Sequence, residues 1–531
     1  MPSIKILTAR QINQVDHLTS EQHGIPSSLL MENAGLHLYK TLAKYFEDLD
    51  SRLIAIICGK GNNGGDGIVL ARQLVQRKIN PDVYLLSKVT DVSGDARANL
   101  ETYLKSGEEV IEVTDTREWE RISEEFSRYD IIVDALLGTG ISKPLEGLYS
   151  KVVATVNQSK AFVLSVDIPS GMFSDSLTGG VPTVQAEATV TFTAPKIAHI
   201  LNEDQKALGK LHIVPIGSPS SLLENPEYDL NLLTREQICS YLPPQEIRSH
   251  KGHFGHVALV SGSRGKSGAA VLSGSAALRT GSGLVTLCVP EAIQDVVASF
   301  QAELMTEGLP STPQGTFASQ ATDQLLELLQ DKDAAGIGPG LGRERETVDL
   351  IHTVVNKATL PLLLDADALN AFEGKTNKLQ NDNGQPLILT PHPGEFSRLL
   401  GRPTQEILPK KVELARQFAQ EKGVWLVLKS FRTLIAEPAG QVFVCPLGNP
   451  GMATAGMGDV LTGTVTSLLG IFAARGMTTP NDILQAVLVG VYLHSLAGDL
   501  AALEVGLRAL TAGDVTAHLG KAYQALTEEL P

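Results

Sequence analysis

Residues 448–464, Gly-Asn-Pro-Gly-Met-Ala-Thr-Ala-Gly-Met-Gly-Asp-Val-Leu-Thr-Gly-Thr, crowd glycines around one acid, Asp459, and an apolar run of helical character (460–471) follows at once. A turn of this kind at a helix start presents backbone N–H groups to an anion. A carboxylate inside such a pocket can take a proton from a substrate hydroxyl as a phosphoryl group arrives. The stretch points to an enzyme that uses a nucleotide on a small molecule; the alternative is a glycine-rich loop that only caps a helix. Other loops of the second half carry matching chemistry: Gly338-Pro-Gly340-Leu-Gly342, Asp365-Ala-Asp367-Ala-Leu-Asn370, Thr390-Pro-His392-Pro-Gly-Glu395-Phe and Lys429-Ser-Phe-Arg-Thr433. Together they bring glycine, acid, imidazole and cation to successive strand ends. His392, between two prolines, reads either as a site group or as a packed structural histidine.

Two patterns in this half are weaker than they look. Gly265-Lys266-Ser267 suggests a phosphate-binding Walker A loop, but the first glycine of that motif would fall on Val260. His250, His253 and His256 are spaced like metal ligands yet lack companion ligands and a helical context, so a lead-in loop is expected.

The first half has its own series. Gly59-Lys-Gly-Asn62-Asn63-Gly64-Gly65-Asp66-Gly67 follows one apolar run, Asp134-Ala-Leu-Leu-Gly138-Thr139-Gly140 a second, and Asp167-Ile-Pro-Ser170-Gly171 a third. Glycines let backbone approach a phosphate. Oxygens from Asn62, Asp134 and Ser170 could ring a hard cation, and Asp167 could act as an acid–base group. The competing reading is that each aspartate caps the helix after it.

These loops need strands to present them. Apolar runs at 53–58, 82–86, 130–134, 161–167, 188–193 and 211–214 predict strands, and 67–78 predicts a helix with Ile68, Leu70, Ala71, Leu74 and Val75 on one face. The polar, turn-rich segment 217–235 predicts a linker. Beyond it, 256–261, 284–289, 334–337, 361–365, 386–390 and 424–429 predict strands, 432–436 with 441–445 a hairpin, and 480–502 and 512–527 closing helices. Strand–helix alternation predicts an α/β protein: a Rossmann-like doubly wound domain over 1–217, a linker at 218–235 and a second α/β domain over 236–531.

Composition agrees. A chain of 531 residues calls for two or three domains. Few aromatics (5%) and 49 glycines suit an α/β enzyme with many tight turns. A net charge of −15 argues against a nucleic-acid partner. The four cysteines are far apart and form no ligand spacing, which fits a reducing compartment. The N-terminus has no signal-peptide core, and no uninterrupted apolar run approaches the ~18–20 residues of a membrane span. A soluble, cytoplasmic protein is expected.

Read in order, the three first-half motifs resemble the NAD(P)H-hydrate epimerase domain over residues 1–217, and Ser28-Leu-Leu-Met-Glu-Asn-Ala-Gly35 resembles that family's first helix. The resemblance implies interconversion of the R and S epimers of hydrated NAD(P)H beside a K⁺ held by Asn62, Asp134 and Ser170. The hydrate would be cradled by Asn62, Asn63, Gly64, Gly65 and Asp66 and by Gly138, Thr139, Gly140, Ile141, Ser142, Lys143 and Pro144. Asp167 would bind it and serve as the acid–base residue.

The second-half loops resemble the ADP/ATP-dependent NAD(P)H-hydrate dehydratases, members of the ribokinase-like fold, over residues 236–531. The fused pair is similar to the bifunctional NAD(P)H-hydrate repair enzymes along nearly its whole length. That implies dehydration of the S form to NAD(P)H at the expense of ADP or ATP, releasing AMP or ADP and phosphate, with Mg²⁺ and in a homo-oligomer. Ala269, Gly340, His392 and Asp459 would contact the hydrate, with Asp459 as base. Lys429, Ser430, Phe431, Arg432, Thr433 and Gly458 would contact the nucleotide. Two residues depart from the family pattern: Ser430 stands where glycine is usual, and Met457 where threonine is usual. The glycine–acid motifs alone leave open a small-alcohol kinase fused to a nucleotide-binding module.

Overall fold

Short runs of Val, Ile, Leu and Ala, buried on both sides, form the strands of two largely parallel sheets in a computed structural model that describes residues 3–141, 143–178, 182–244, 248–380 and 382–527. One unit comprises Lys5–Tyr228, the other Asp229–Pro531 together with Met1–Ile4.

In the first unit a seven-stranded sheet runs in the order Ile111–Glu112, Asp82–Leu85, Ile54–Cys58, Ile131–Ala135, Phe162–Val166, Ala188–Phe192, Lys210–Val214. Every pairing is parallel. The chain steps outward one way from Ile54–Cys58 and then outward the other way from Ile131–Ala135. The crevice above those two strand ends is the switch point where α/β sheets bind ligands.

Helix Asn62–Val75 begins at Asn62 rather than at 67, so the Asn-Asn-Gly-Gly-Asp run forms its first turns instead of a loop. Close packing explains this. A Cβ on Gly64 would lie 1.9 Å from the Gly59 carbonyl oxygen, and one on Gly67 2.6 Å from the Ala135 Cβ. The glycines that weaken the helix locally allow it to lie against the sheet.

The second unit holds an eleven-stranded sheet. Its parallel part runs Met305–Leu309, Leu284–Pro290, His256–Val260, Ala334–Ile337, Leu362–Leu364, Leu387–Leu389, Trp425–Leu428. The antiparallel strands Leu434–Ala436 and Val442–Val444 extend it. Leu230–Leu232 then pairs parallel to Val442–Val444, and Ile4–Lys5 closes the order. The switch point lies between His256–Val260 and Ala334–Ile337.

Segment 218–235 departs from a plain linker. It contains a 3₁₀ turn, Ser220–Glu224, and the buried strand Leu230–Leu232. Its last residues are sheet because Leu230 and Leu232 sit opposite Val442 and Val444. The edge strand Met305–Leu309, half-exposed, with Met305 and Glu307 facing solvent, has no counterpart among the predicted strands. Helix Pro480–Val505 is long and apolar enough by composition to cross a membrane, but 72% of its most apolar window is buried within the protein. Its Thr479 cap accepts from the Asp482 N–H, with Pro480 in the first turn.

Candidate active sites

The first unit's switch-point loops enclose a cleft of about 490 Å³. Asn62, Asn63 and Asp66 line it from the start of helix Asn62–Val75, and Gly138, Thr139 and Gly140 from the loop after Ile131–Ala135. Gly64 and Gly65 turn inward, against the Gly59 carbonyl and the Met31 side chain, and serve packing. Ile141, Lys143 and Pro144 lie outside the cleft lining, and Ser142 lies outside the described residues. The Asn63 side-chain nitrogen is buried without a hydrogen-bond partner, a donor left for a ligand acceptor.

Asp167 enters the cleft from the end of Phe162–Val166 with φ +63°, a left-handed backbone uncommon for aspartate. Its carboxylate accepts from the ammonium of Lys196, itself 1% exposed, and from the Thr191 hydroxyl at 3.0 Å. Burial would raise its pKa, but the Lys196 charge and these hydrogen bonds outweigh burial and hold it below the usual carboxylate range.

Asp134 and Ser170 come together behind the cleft loop. The Asp134 carboxylate accepts from the Ser170 hydroxyl (2.6 Å), the Ser170 N–H (2.8 Å) and the Ser165 hydroxyl (2.9 Å). Burial nevertheless raises its pKa, because the groups acting against burial are hydrogen-bond donors and none is charged. The Leu137 N–H donates to the Ser170 hydroxyl at 2.9 Å, tying this pair to the loop that lines the cleft.

In the second unit a cavity of about 650 Å³ is lined by His392, by Lys429, Ser430, Phe431, Arg432 and Thr433, and by Gly458. Ala269, Gly340 and Asp459 lie outside that lining. Lys429 lies 2.6 Å from the Asp365 carboxylate, which also accepts from the Thr462 hydroxyl at 3.0 Å. A Cβ on Gly458 would be 3.3 Å from both members of that ion pair, so the start of helix Met457–Ala473 rests on it. The helix has Gly456 (φ +88°) as its N-cap and no side-chain cap, which leaves first-turn N–H groups free for an anion.

Asp459 lies in that first turn. Burial, reinforced by the nearby carboxylates of Asp365 and Asp367 and opposed by Lys429, pushes its pKa up to about 7. A carboxyl titrating near neutrality is matched to proton transfer.

Ala269 and Gly340 face one another, with a Cβ on Gly340 falling 3.1 Å from the Ala269 Cβ. Beside them the Gly342 N–H donates to Asp367 at 2.9 Å, and Lys266 lies 3.3 Å from the same carboxylate. His392 combines both readings of the sequence. Its Nδ1 caps helix Pro393–Leu400 by accepting from the Gly394 and Glu395 N–H groups, while the half-exposed ring lines the cavity. Partial burial lowers its pKa, so the ring is neutral, and with Nδ1 accepting, its proton sits on Nε2, 3.4 Å from the Glu395 carboxylate.

Residues 27–198 match a family described as YjeF-related protein N-terminus, and residues 257–520 match NAD(P)H-hydrate dehydratase. The bifunctional NAD(P)H-hydrate repair enzyme of Moorella thermoacetica is 41% identical over 99% of this chain and 98% of its own length. The enzyme of that name from Escherichia coli is 32% identical over 96% and 92%. This chain belongs to the bifunctional NAD(P)H-hydrate repair enzyme family. Among solved structures, the ADP/ATP-dependent NAD(P)H-hydrate dehydratase from Bacillus subtilis, co-crystallised with ATP/Mg²⁺, is 30% identical, with a TM-score of 0.48 over 55% of this chain and 97% of that one.

Both departures from the family pattern have a structural account. Ser430 is not among the residues with positive φ; in its loop Arg432 carries that conformation (φ +57°), so serine is accommodated without backbone strain. Met457 is buried, and its carbonyl accepts from His494 Nε2 at 3.1 Å, so this position holds the helix start through its backbone. The histidines of the lead-in loop also have local partners. His250 stacks on His253 with centroids 3.8 Å apart, and His256 meets the Thr286 hydroxyl at 2.8 Å.

Two charged residues of the first cleft, Asp16 and Lys196, carry no sequence motif. Lys196 closes the run Thr-Ala-Pro-Lys after strand Ala188–Phe192, which is its only local signal. In the second unit the Asp365–Lys429 pair joins two motifs far apart in sequence.

Proposed function

We propose that residues 1–217 interconvert the R and S epimers of hydrated NAD(P)H and that residues 236–531 dehydrate the S form with ADP or ATP. The observation that carries the reading is Asp459, titrating near neutrality beside the Asp365–Lys429 pair at an uncapped helix start. Asp459 takes the proton of the ring hydroxyl as the nucleotide's terminal phosphoryl group moves to that oxygen. Hydroxide is a poor leaving group and phosphate a good one; loss of phosphate and of a proton from the adjacent ring carbon restores the double bond. The helix-start N–H groups, Lys429 and Arg432 hold the anionic nucleotide. The neutral His392 donates through Nε2 and orients the hydrate.

Mg²⁺ supplies charge neutralisation between phosphates. The nearby carboxylates of Asp365 and Asp367 already face Lys429 and Lys266, which suits an ion carried in by the nucleotide better than a protein cage. K⁺ fits the epimerase unit: Asp134 is a buried carboxylate with hydroxyl and amide donors but no charged partner among the groups that set its pKa, and Ser170 and Asn62 would complete the oxygen set.

The test is purified protein with hydrated NADPH and ADP, followed by absorbance of the reduced ring and by released phosphate. Recovery of the whole R and S mixture, slower when KCl is replaced by tetramethylammonium chloride, is the expected result. A stable phosphate ester would select the small-alcohol kinase instead, and absence of reduced cofactor with either nucleotide would end the dehydratase reading.

A further inference from the structure

The first cleft holds more acid than its two lysines can neutralise. Asp16 from helix Ala9–His23, Asp66 from helix Asn62–Val75 and Asp167 from the end of Phe162–Val166 all line it, together with Lys196. Lys196 is committed to Asp167 and to the Thr191 hydroxyl, 2.8 Å away. Asp16 is left otherwise: its Oδ1 is buried and has no hydrogen-bond partner. Lys60 and Asp95 are the other charged groups on the wall.

We propose that Asp16 is the proton donor of the epimerase reaction and that Asp167, kept ionised by Lys196, is its acceptor partner. The proposal rests on the epimerase reading given above. Hydration of an enamine puts the hydroxyl on the carbon beside the ring nitrogen. Asp16 gives its proton to that hydroxyl, the C–O bond breaks with its electron pair going to oxygen, and water departs. The nitrogen lone pair forms the C=N bond of an iminium ion. Water then adds to the opposite face and gives up a proton to a carboxylate, which restores the cleft's proton count. Nothing is oxidised or reduced.

The electrostatics support this division of labour. Burial raises the Asp16 carboxyl to about 6, with Lys196 opposing and Asp167 adding to the rise. Asp66 is raised for the same first reason, with Asp167 and Asp16 as the like charges beside it. Asp167 alone is lowered. Two carboxyls of unlike proton affinity in one cleft form an acid–base pair.

The experiment uses the full-length chain without nucleotide, so that dehydration cannot proceed. One purified epimer is added and the approach to the R/S mixture is followed by chromatography, with the uncatalysed rate subtracted. Asp16→Asn should slow interconversion at least ~100-fold, Asp16→Glu should recover part of it, and the wild-type rate should fall as pH rises past about 6. Trp119 fluorescence in a Trp425→Phe background reports whether the variant unit is folded. An Asp16→Asn rate within twofold of wild type overturns the proposal. So does a slowed Asp16→Asn variant whose residual rate keeps the same fall with pH, since Asp16 would then only position the site. A wild-type chain that leaves the epimers unmixed overturns the epimerase reading itself and is told apart by that control.

Discussion

Replacing Asp459 with Asn should abolish dehydration and at the same time stabilise the C-terminal unit at alkaline pH. The folded carboxyl titrates at about 7, against an ordinary 3.8. Between those values the folded chain binds more protons than the unfolded chain, so stability falls as pH rises through that window. At pH 8 the group is ionised in both states, and the gap sets a ceiling of ~4 kcal/mol on the cost of the charge, at ~1.4 kcal/mol per pH unit. At pH 5, where the folded form is still protonated, the ceiling is only ~1.6 kcal/mol. Residual solvation reduces both, and a gain of ~1–2 kcal/mol at pH 8 is the expected size. Asparagine has the shape of the neutral acid and no charge to bury, so its advantage should grow with pH.

The assay exploits the two tryptophans, one in each unit: Trp119 and the buried Trp425. In a Trp119→Phe background, urea unfolding followed by fluorescence reports the C-terminal unit alone, which avoids treating a two-unit chain as a single transition. A midpoint difference between the parent chain and its Asp459→Asn variant that is the same at pH 5 and pH 8 would refute the argument. A less stable variant at pH 8 would do so too.

Dehydration by the wild-type chain should rise as pH passes upward through about 7, because the base must be ionised; a flat profile between pH 6 and 8 under saturating substrate would contradict the role of Asp459. Lys196→Met should leave the Asp167 carboxylate with no cation beside it, costing about 3 kcal/mol at neutral pH and eliminating epimerisation, both read on the Trp119 reporter and the epimer assay. Met457→Thr should add one donor at the helix start and tighten apparent ADP binding by about fivefold; unchanged binding would mean the backbone amides suffice.

The strands of both sheets were legible because parallel, doubly buried strands read as continuous apolar runs. Ile54–Cys58 and Trp425–Leu428 are buried throughout and fall inside predicted runs. Leu230–Leu232 and Met305–Leu309 were not: one is short and lies in a polar stretch, the other is a half-exposed edge. The start of helix Asn62–Val75 was hidden because glycine lowers local helix propensity, and only contact with Gly59 and Ala135 reverses that. Strand-end acids stood out one at a time, Asp134 and Asp167 among them. Which of them holds a proton was invisible, since Asp16 and Lys196 meet Asp167 only through the fold.

The two units, whose parallel strands run in the same order, solve one electrostatic problem the same way. Each gathers several carboxylates near its site and supplies a lysine that pairs with one of them. Lys196 takes Asp167, and Asp16 and Asp66 are left with raised proton affinity. Lys429 takes Asp365, and Asp459 is left near neutrality. In a buried setting a single cation favours ionisation of the acid it touches far more than that of acids further off. In the first unit the lysine therefore separates the proton affinities of Asp167 and Asp16, and that separation creates both a proton donor and a proton acceptor at one pH. On this view neither lysine is replaceable by another way of holding the fold. Lys429→Met should raise the Asp459 carboxyl further, move the alkaline rise of dehydration to higher pH, and do so even where nucleotide saturates the site; a profile that falls in amplitude without moving along the pH axis would show that Lys429 acts on the nucleotide alone.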